Sequence, residues 1–251
     1  MMKTLAIYQL KGGVGKTSTA VNFAALAAAQ GVTTLLWDLD PQGAATWLSG
    51  VDAALTPKVK HWVKGKSPLG RYVARAVVGD YDVLPAAQAH RLLDVVLHKV
   101  DAPQKALKRL LQPFSEHYQL VILDAPPSMS TLADNVLFAA DKVVLPVVPG
   151  FLAQRTLEQV AHYMDGLERP RSALLALYTM VDRRRQLHRT QIEVHPVPGI
   201  HWLDAQIPYA SSVERMGLTR RPLMASAAAQ DPARVAYERA WNEVWRTLNP
   251  R

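Results

Sequence analysis

Lys11-Gly12-Gly13-Val14-Gly15-Lys16-Thr17-Ser18 sets two lysines and two hydroxyls around three glycines. Those residue types at that spacing suit a polyphosphate. Glycines let the backbone approach phosphate oxygens without a Cβ clash, and successive N–H groups then form an anion-binding nest. Lys16 is placed to reach the β- and γ-phosphates of a nucleoside triphosphate, and the Thr17 hydroxyl to ligate Mg2+. Gly12, Gly13, Val14, Gly15, Lys16, Thr17 and Ser18 are the candidate phosphate-binding residues. In the common pattern G-x-x-x-x-G-K-[ST] the first glycine would fall at position 10, where this chain has Leu10. A second lysine, Lys11, stands just inside the loop instead. Three acidic residues, Asp38, Asp40 and Asp124, follow apolar runs. Each alone reads as readily as a turn former.

Such a loop works only between a strand and a helix whose N-terminal end faces the anion. Leu5–Leu10 reads as that strand, and Lys16–Gln30 as an Ala-rich helix ended by Gly31. Thr33–Trp37 reads as a second strand. Near-continuous apolar runs recur at Tyr81–Leu84, Leu120–Leu123, Lys142–Val148 and Ala173–Met180, as buried parallel strands require. Helices are predicted over Ala87–Val100, Gln104–Leu111, Thr131–Ala139 and Leu152–Leu167. A last strand near Ile200–Ala205 and a terminal helix, Pro232–Leu248, complete the series, while Val51–Gly79 shows no clear element. The alternation implies βαβ units in one α/β domain over residues 1–251, with a mostly parallel twisted sheet and helices on both faces.

Composition narrows the chemistry. The chain is 49% hydrophobic, enough for a sizeable core. It has no cysteine, which excludes disulfides, Cys-ligated zinc, iron–sulfur clusters and a thiol nucleophile. Lys and Arg number 29 against 21 Asp and Glu, a formal net charge of +8, which suits a polyanionic partner as well as a merely basic surface. No apolar run approaches the ~18–20 residues of a membrane span. The first strand is too short for a signal-peptide core, so a cytoplasmic location is expected.

The loop with its extra lysine resembles that of the ParA/MinD family of deviant Walker ATPases, which have a SIMIBI-class P-loop NTPase fold. Two further segments match: Asp38-Leu39-Asp40-Pro41-Gln42-Gly43 is similar to the family's D-x-D-P-Q-G segment, and Val121-Ile122-Leu123-Asp124-Ala125-Pro126-Pro127 to its Walker B segment. The resemblance implies ATP and Mg2+ as ligands and ATP hydrolysis as the activity. It implies that Lys11 reaches across a nucleotide-sandwich homodimer to the partner's phosphates, where a cation stabilises charge developing on the transferred group. It also implies that Asp40 positions or activates the attacking water and that Asp38 supports the magnesium site. Asp124 then holds Mg2+ through its water shell, fitting a cation that sheds water reluctantly. Lys11, Lys16 and Asp40 are thus the catalytic candidates, and Thr17, Asp38 and Asp124 the metal candidates. Asp182 and Pro208 match where the family contacts adenine, and a plain loop role is open for each.

Within the family, the missing cysteines exclude relatives that carry iron–sulfur clusters or sense arsenite, and the tyrosine kinases' C-terminal tyrosine cluster is absent. Partition ATPases, MinD-like membrane ATPases and cargo-positioning ATPases remain. From Arg169 to Arg221 there are nine arginines against Asp182, Glu193, Asp204 and Glu214. The resemblance implies that basic residues here bind nonspecific DNA (the nucleoid) in the ATP-bound dimer, and that a partner protein stimulates hydrolysis. Arg183, Arg184, Arg185, Arg189, Arg220 and Arg221 are the candidates, and solvated surface arginines are the alternative. A second basic stretch, 58–75, has six cations and no acid, with no role assigned. The membrane alternative rests on Tyr237, Trp241, Val244, Trp245 and Leu248, which share one helical face. Glu238 and Glu243 oppose an anionic surface, and a helix closing an α/β sheet shows the same pattern. The chain departs from the partition pattern at Leu10, at Tyr209 and in Pro146-Val147-Val148-Pro149-Gly150. Its P-loop strand comes almost first, so no helix-turn-helix for operator binding is expected.

Overall fold

Strand β1 (Lys3–Ile7) is buried on both sides from its second residue onward, so a layer of helices must cover each face of its sheet. The computed structural model, which describes residues 1–52, 59–193 and 197–249, shows how. The other strands are β2 (Thr34–Asp38), β3 (Ala74–Arg75), β4 (Asp82–Leu84), β5 (Leu120–Asp124), β6 (Lys142–Val147), β7 (Leu174–Val181) and β8 (His201–Pro208). They form one sheet in the order β3-β4-β2-β5-β1-β6-β7-β8. Only the short edge strand β3 is antiparallel to its neighbour; every other pairing is parallel.

Alternation along the strands divides the core. Ala6, Leu35, Trp37, Val121, Leu123 and Val143 face one cluster, and Leu5, Ile7, Leu36, Leu120, Ile122 and Val144 the other. The second face is covered by α1 (Lys16–Ala29), with α2 (Ala44–Leu48) beside it. The first face carries α3 (Val59–Val63), α4 (Leu93–Leu97), α5 (Ala106–Leu111), α6 (Thr131–Ala139) and α7 (Phe151–Gly166). Next come α8 (Gln186–Ile192), α9 (Ser211–Thr219), α10 (Leu223–Ser226) and α11 (Pro232–Leu248), the last three contributing to the second face.

The predicted apolar face of the terminal helix is an interior face. Tyr237, Trp241, Val244 and Leu248 are buried. Phe23 of α1 meets the Tyr237 ring edge-on at 6.3 Å and the Trp241 ring at 5.6 Å. The Trp241 indole N–H donates to Gln30 at 3.0 Å. The face on which the membrane alternative rested is therefore spent on α1 and β8. Other boundaries move. Residues 87–100 do not form one helix: a 3-10 turn over Gln88–Leu92 leads into the five-residue α4. The last strand runs on to Pro208, so Ile207 and Pro208 end β8 rather than follow it. Lys58, the first cation of the basic stretch, lies outside the described residues.

Candidate nucleotide site

Every parallel strand in this sheet ends on one edge, and the candidate residues gather there. The loop after β1 is shaped by Gly13 and Gly15, both with positive φ (71° and 87°), which residues with a Cβ rarely adopt. Gly15 is also the residue on which α1 begins. Two side chains brace the loop. Buried Gln9 accepts from the Leu10 N–H at 2.9 Å and donates to Pro146 O at 3.4 Å. The Thr179 hydroxyl, from the end of β7, donates to Val14 O at 2.8 Å. Lys16 is 7% exposed and its ammonium donates to Lys11 O at 3.3 Å, closing the loop on itself. Burial lowers the Lys16 pKa, while the charges of Asp124 and Asp40 act against that shift. Lys11 itself is exposed.

Neighbouring strands deliver the carboxylates. β2 and β5 pair in parallel with Asp38 opposite Asp124, so both acids arrive at the same height. Their environments differ. One Asp38 oxygen accepts from both the Thr46 N–H (2.8 Å) and the Thr46 hydroxyl (2.7 Å). The other accepts from the Asp40 N–H at 3.2 Å. Burial nevertheless pushes Asp38 up to about 6, with these hydrogen bonds working against the rise. Asp124 is 1% exposed, and neither of its oxygens makes a hydrogen bond of normal geometry. Burial raises its pKa well above the carboxylate range and Asp38 adds to this; the nearby Thr17 hydroxyl and Lys16 only moderate it. A buried carboxylate without partners is costly and is what a hydrated divalent cation would satisfy, so the residues present fit Mg2+ beside Thr17. Asp40 is half-buried and accepts from the Gln42 N–H at 3.0 Å in an Asx turn.

A small cavity of about 60 Å3 opens beside the loop, lined among others by Gly15, Thr179, Met180, Pro208, Tyr209 and Val213. Its lining sets Pro208 beside Gly15 of the phosphate loop. Asp182 does not line it. Its carboxylate is tied to Arg184 by two hydrogen bonds of 2.9 Å, which hold it down at about 2. Thr179 and Val213 are not among the residues the sequence marks, and Tyr209 stands out there only as a departure from the family pattern. Thr179 lies near the end of β7, Tyr209 just past β8 and Val213 on α9, and what sets them beside Gly15 is a tertiary fact.

A family model for an AAA domain matches residues 2–175. The chain is 37% identical over 257 residues to the chromosome-partitioning ATPase Soj of Thermus thermophilus, covering 97% of this chain and 95% of that protein. The chain belongs to the ParA/MinD family of P-loop ATPases. Among solved structures, cobyrinic acid a,c-diamide synthase from Mycobacterium smegmatis with bound ATP analogue and magnesium superposes with a TM-score of 0.83. It is 26% identical, over 100% of this chain and 97% of that one. A putative plasmid partition protein from Borrelia burgdorferi bound to AMPPNP gives a TM-score of 0.82 at 19% identity, over 98% and 99% of the two chains, a likeness of fold.

On this ParA/MinD-family framework the candidate arginines split into two groups. Arg183, Arg184 and Arg185 sit exposed between β7 and α8, and Arg189 follows on α8. Arg189 folds back to donate to Arg183 O at 2.8 Å, and Arg183 donates to Gln206 at 3.2 Å. Arg185 and Arg189 make no ion pair among the described residues, whereas Arg184 shares its charge with Asp182. The second group ends α9. Arg220, with φ 53°, turns inward: it donates to Trp47 O, Val51 O and Asp52, and its guanidinium lies 4.0 Å over the Trp47 ring. Only Arg221 of this pair is exposed.

Proposed function

We propose that the chain is an MgATP-driven switch: it dimerises face to face when ATP is bound, holds DNA of any sequence in that state, and releases it on hydrolysis. The observation that carries this reading is Asp124, a buried carboxylate with no hydrogen-bond partner at the foot of a glycine loop whose own lysine, Lys16, is buried beside it.

The roles are those that the family resemblance implies for these residues. The Gly12–Ser18 backbone and Lys16 take the phosphates, with the α1 N-terminus adding its positive end. Thr17 holds the metal directly, and Asp124, with Asp38 behind it, through water. Bound there, Mg2+ supplies charge neutralisation on the β- and γ-phosphates. Asp40, on a loop tied to Asp38 by one hydrogen bond, orients the attacking water. Lys11, exposed at the loop mouth, is free to enter a partner's site and stabilise charge on the transferred phosphoryl group. The base lies towards Pro208. The exposed arginines around α8, with Arg221, face DNA phosphates, which give affinity without sequence preference. The Soj relative is named a chromosome-partitioning ATPase, which supports a role in segregating or positioning a cargo on the nucleoid, with a partner protein accelerating turnover.

Phosphate release from MgATP tests the catalytic half. The reading expects slow turnover alone and faster turnover with duplex DNA and the stimulating partner. ATP binding with no release under any of these conditions would instead describe a nucleotide-gated scaffold.

A further inference from the structure

Tyr8 lies one residue beyond β1 and three before Lys11, and its side chain is wholly buried. Its hydroxyl donates to Ser128 O at 2.9 Å. Ser128 sits four residues past Asp124, in a loop whose Pro127 and Met129 are exposed. A buried phenol needs a hydrogen-bond partner, and here that partner is the backbone of an otherwise weakly held segment. The main chain beyond Ala125, whose N–H still bonds Ile7 O, leaves the sheet.

A second tyrosine bonds the helix that this loop leads into. Tyr163 of α7 donates to the Asp134 carboxylate and reaches Ser130 O at 3.4 Å. The Ser128 and Ser130 hydroxyls lie 3.2 Å apart, and the Ser130 hydroxyl caps α6 by accepting from the Ala133 N–H. Tyr8 thus moves with the phosphate-loop strand, whose next residue, Gln9, already fixes Leu10 and Pro146. Tyr163 moves with α7, whose N-terminal residues line the cleft beside Lys11.

We propose that Tyr8 and Tyr163 are positioning residues that latch the 126–130 loop to the phosphate-loop strand and to α7. This holds the chain leaving Asp124 in one place relative to the nucleotide. The proposal rests on the reading of this site as one for MgATP. Both hydroxyls bond protein groups outside the phosphate loop, so the latch acts on preorganisation of the reacting geometry, and its loss lowers kcat rather than raising KM.

Tyr8→Phe and Tyr163→Phe remove the hydroxyls and keep the rings. Tyr81→Phe is the control: it too is buried, but its hydroxyl bonds Ser49. Hydrogen exchange at the amides of Ser128, Met129 and Ser130 is measured without nucleotide, and kcat and KM with MgATP. Losing one hydrogen bond is expected to lower kcat about three- to tenfold at unchanged KM, with faster exchange at those three amides. Tyr81→Phe should shift the thermal midpoint and leave both readouts alone. Unchanged exchange in Tyr8→Phe, faster exchange with unchanged kcat, or the same changes in Tyr81→Phe would each overturn the latch. Should the wild type release no phosphate, the catalytic reading fails, and the exchange comparison alone decides whether the latch exists.

Discussion

Lys16 and Asp124 are both buried at the phosphate loop, and each can be tested alone. Lys16→Ala should abolish MgATP binding in calorimetry, because no other buried cation faces the β/γ position among the described residues. Affinity near that of the wild type would mean the phosphates lie elsewhere. Asp124→Asn keeps the shape and removes a buried carboxyl group whose oxygens make no hydrogen bond. The nucleotide-free variant should therefore melt higher, at about 2–4 °C per kcal/mol for a chain of this size, while Mg2+-dependent stabilisation by ATP disappears. A lower midpoint in the nucleotide-free variant would show that the carboxylate has a structural partner after all. At this scale the strand–loop–helix setting of the glycine loop was legible, because its glycines and lysine carry their geometry in adjacent residues. Arg220 was not. In sequence it is one more arginine in a basic stretch, and only the fold sets Trp47 beneath it.

Elements couple the site to the rest of the chain. α2, on the loop carrying Asp40, is clasped to α9: the Trp47 indole N–H donates to Gly217 O at 2.9 Å while Arg220 spans Trp47, Val51 and Asp52. Arg220→Ala should cost about 1–3 kcal/mol of stability, read as a lower denaturation midpoint, whereas Arg221→Ala should leave that midpoint in place. Equal effects would mean the clasp contributes nothing. The turn after β4 is held more indirectly. Ala86 N–H donates to Thr46, which binds Asp38, and His90 sits edge-on to Trp62 at 5.4 Å. Burial holds His90 neutral, lowering its pKa to about 4. The unfolded chain takes up that proton below about 6.5, the folded one only near 4. Its contribution to stability is therefore full above about 6.5 and is lost as pH falls towards 4, at up to about 1.4 kcal/mol per pH unit. His90→Gln should remove that component: the stability gap between wild type and variant narrows across this window. Parallel pH profiles would contradict the assignment. Long elements such as Thr131–Ala139 and Pro232–Leu248 were legible to the residue. α2, α3, α8 and α10, of four to seven residues, were not, since one or two turns are too few for an apolar pattern to repeat. The two-residue edge strand β3 gave even less to read.

For the whole molecule, the alternation of apolar runs was enough to predict a parallel α/β sheet. It could not say whether the terminal helix faces a membrane or a core, because both bury the same stripe; Phe23 on α1 settles it. The net charge of +8 likewise names no partner by itself. Its meaning depends on whether the exposed arginines are coupled to the nucleotide. Closing a dimer doubles the number facing one duplex, and each phosphate contact adds a slope of about −0.9 to log K against log salt. The decisive measurement is equilibrium binding to duplexes of unrelated sequence with MgATP, with MgADP and without nucleotide, across a salt series. The account predicts tight, sequence-blind binding with MgATP only. With six to ten contacts, it should weaken by roughly 10³–10⁵ between 50 and 200 mM salt, and replacing Arg185 and Arg189 by alanine should flatten the slope. Binding of equal strength in all three nucleotide states would contradict the account, because the basic surface would then not be read by the switch.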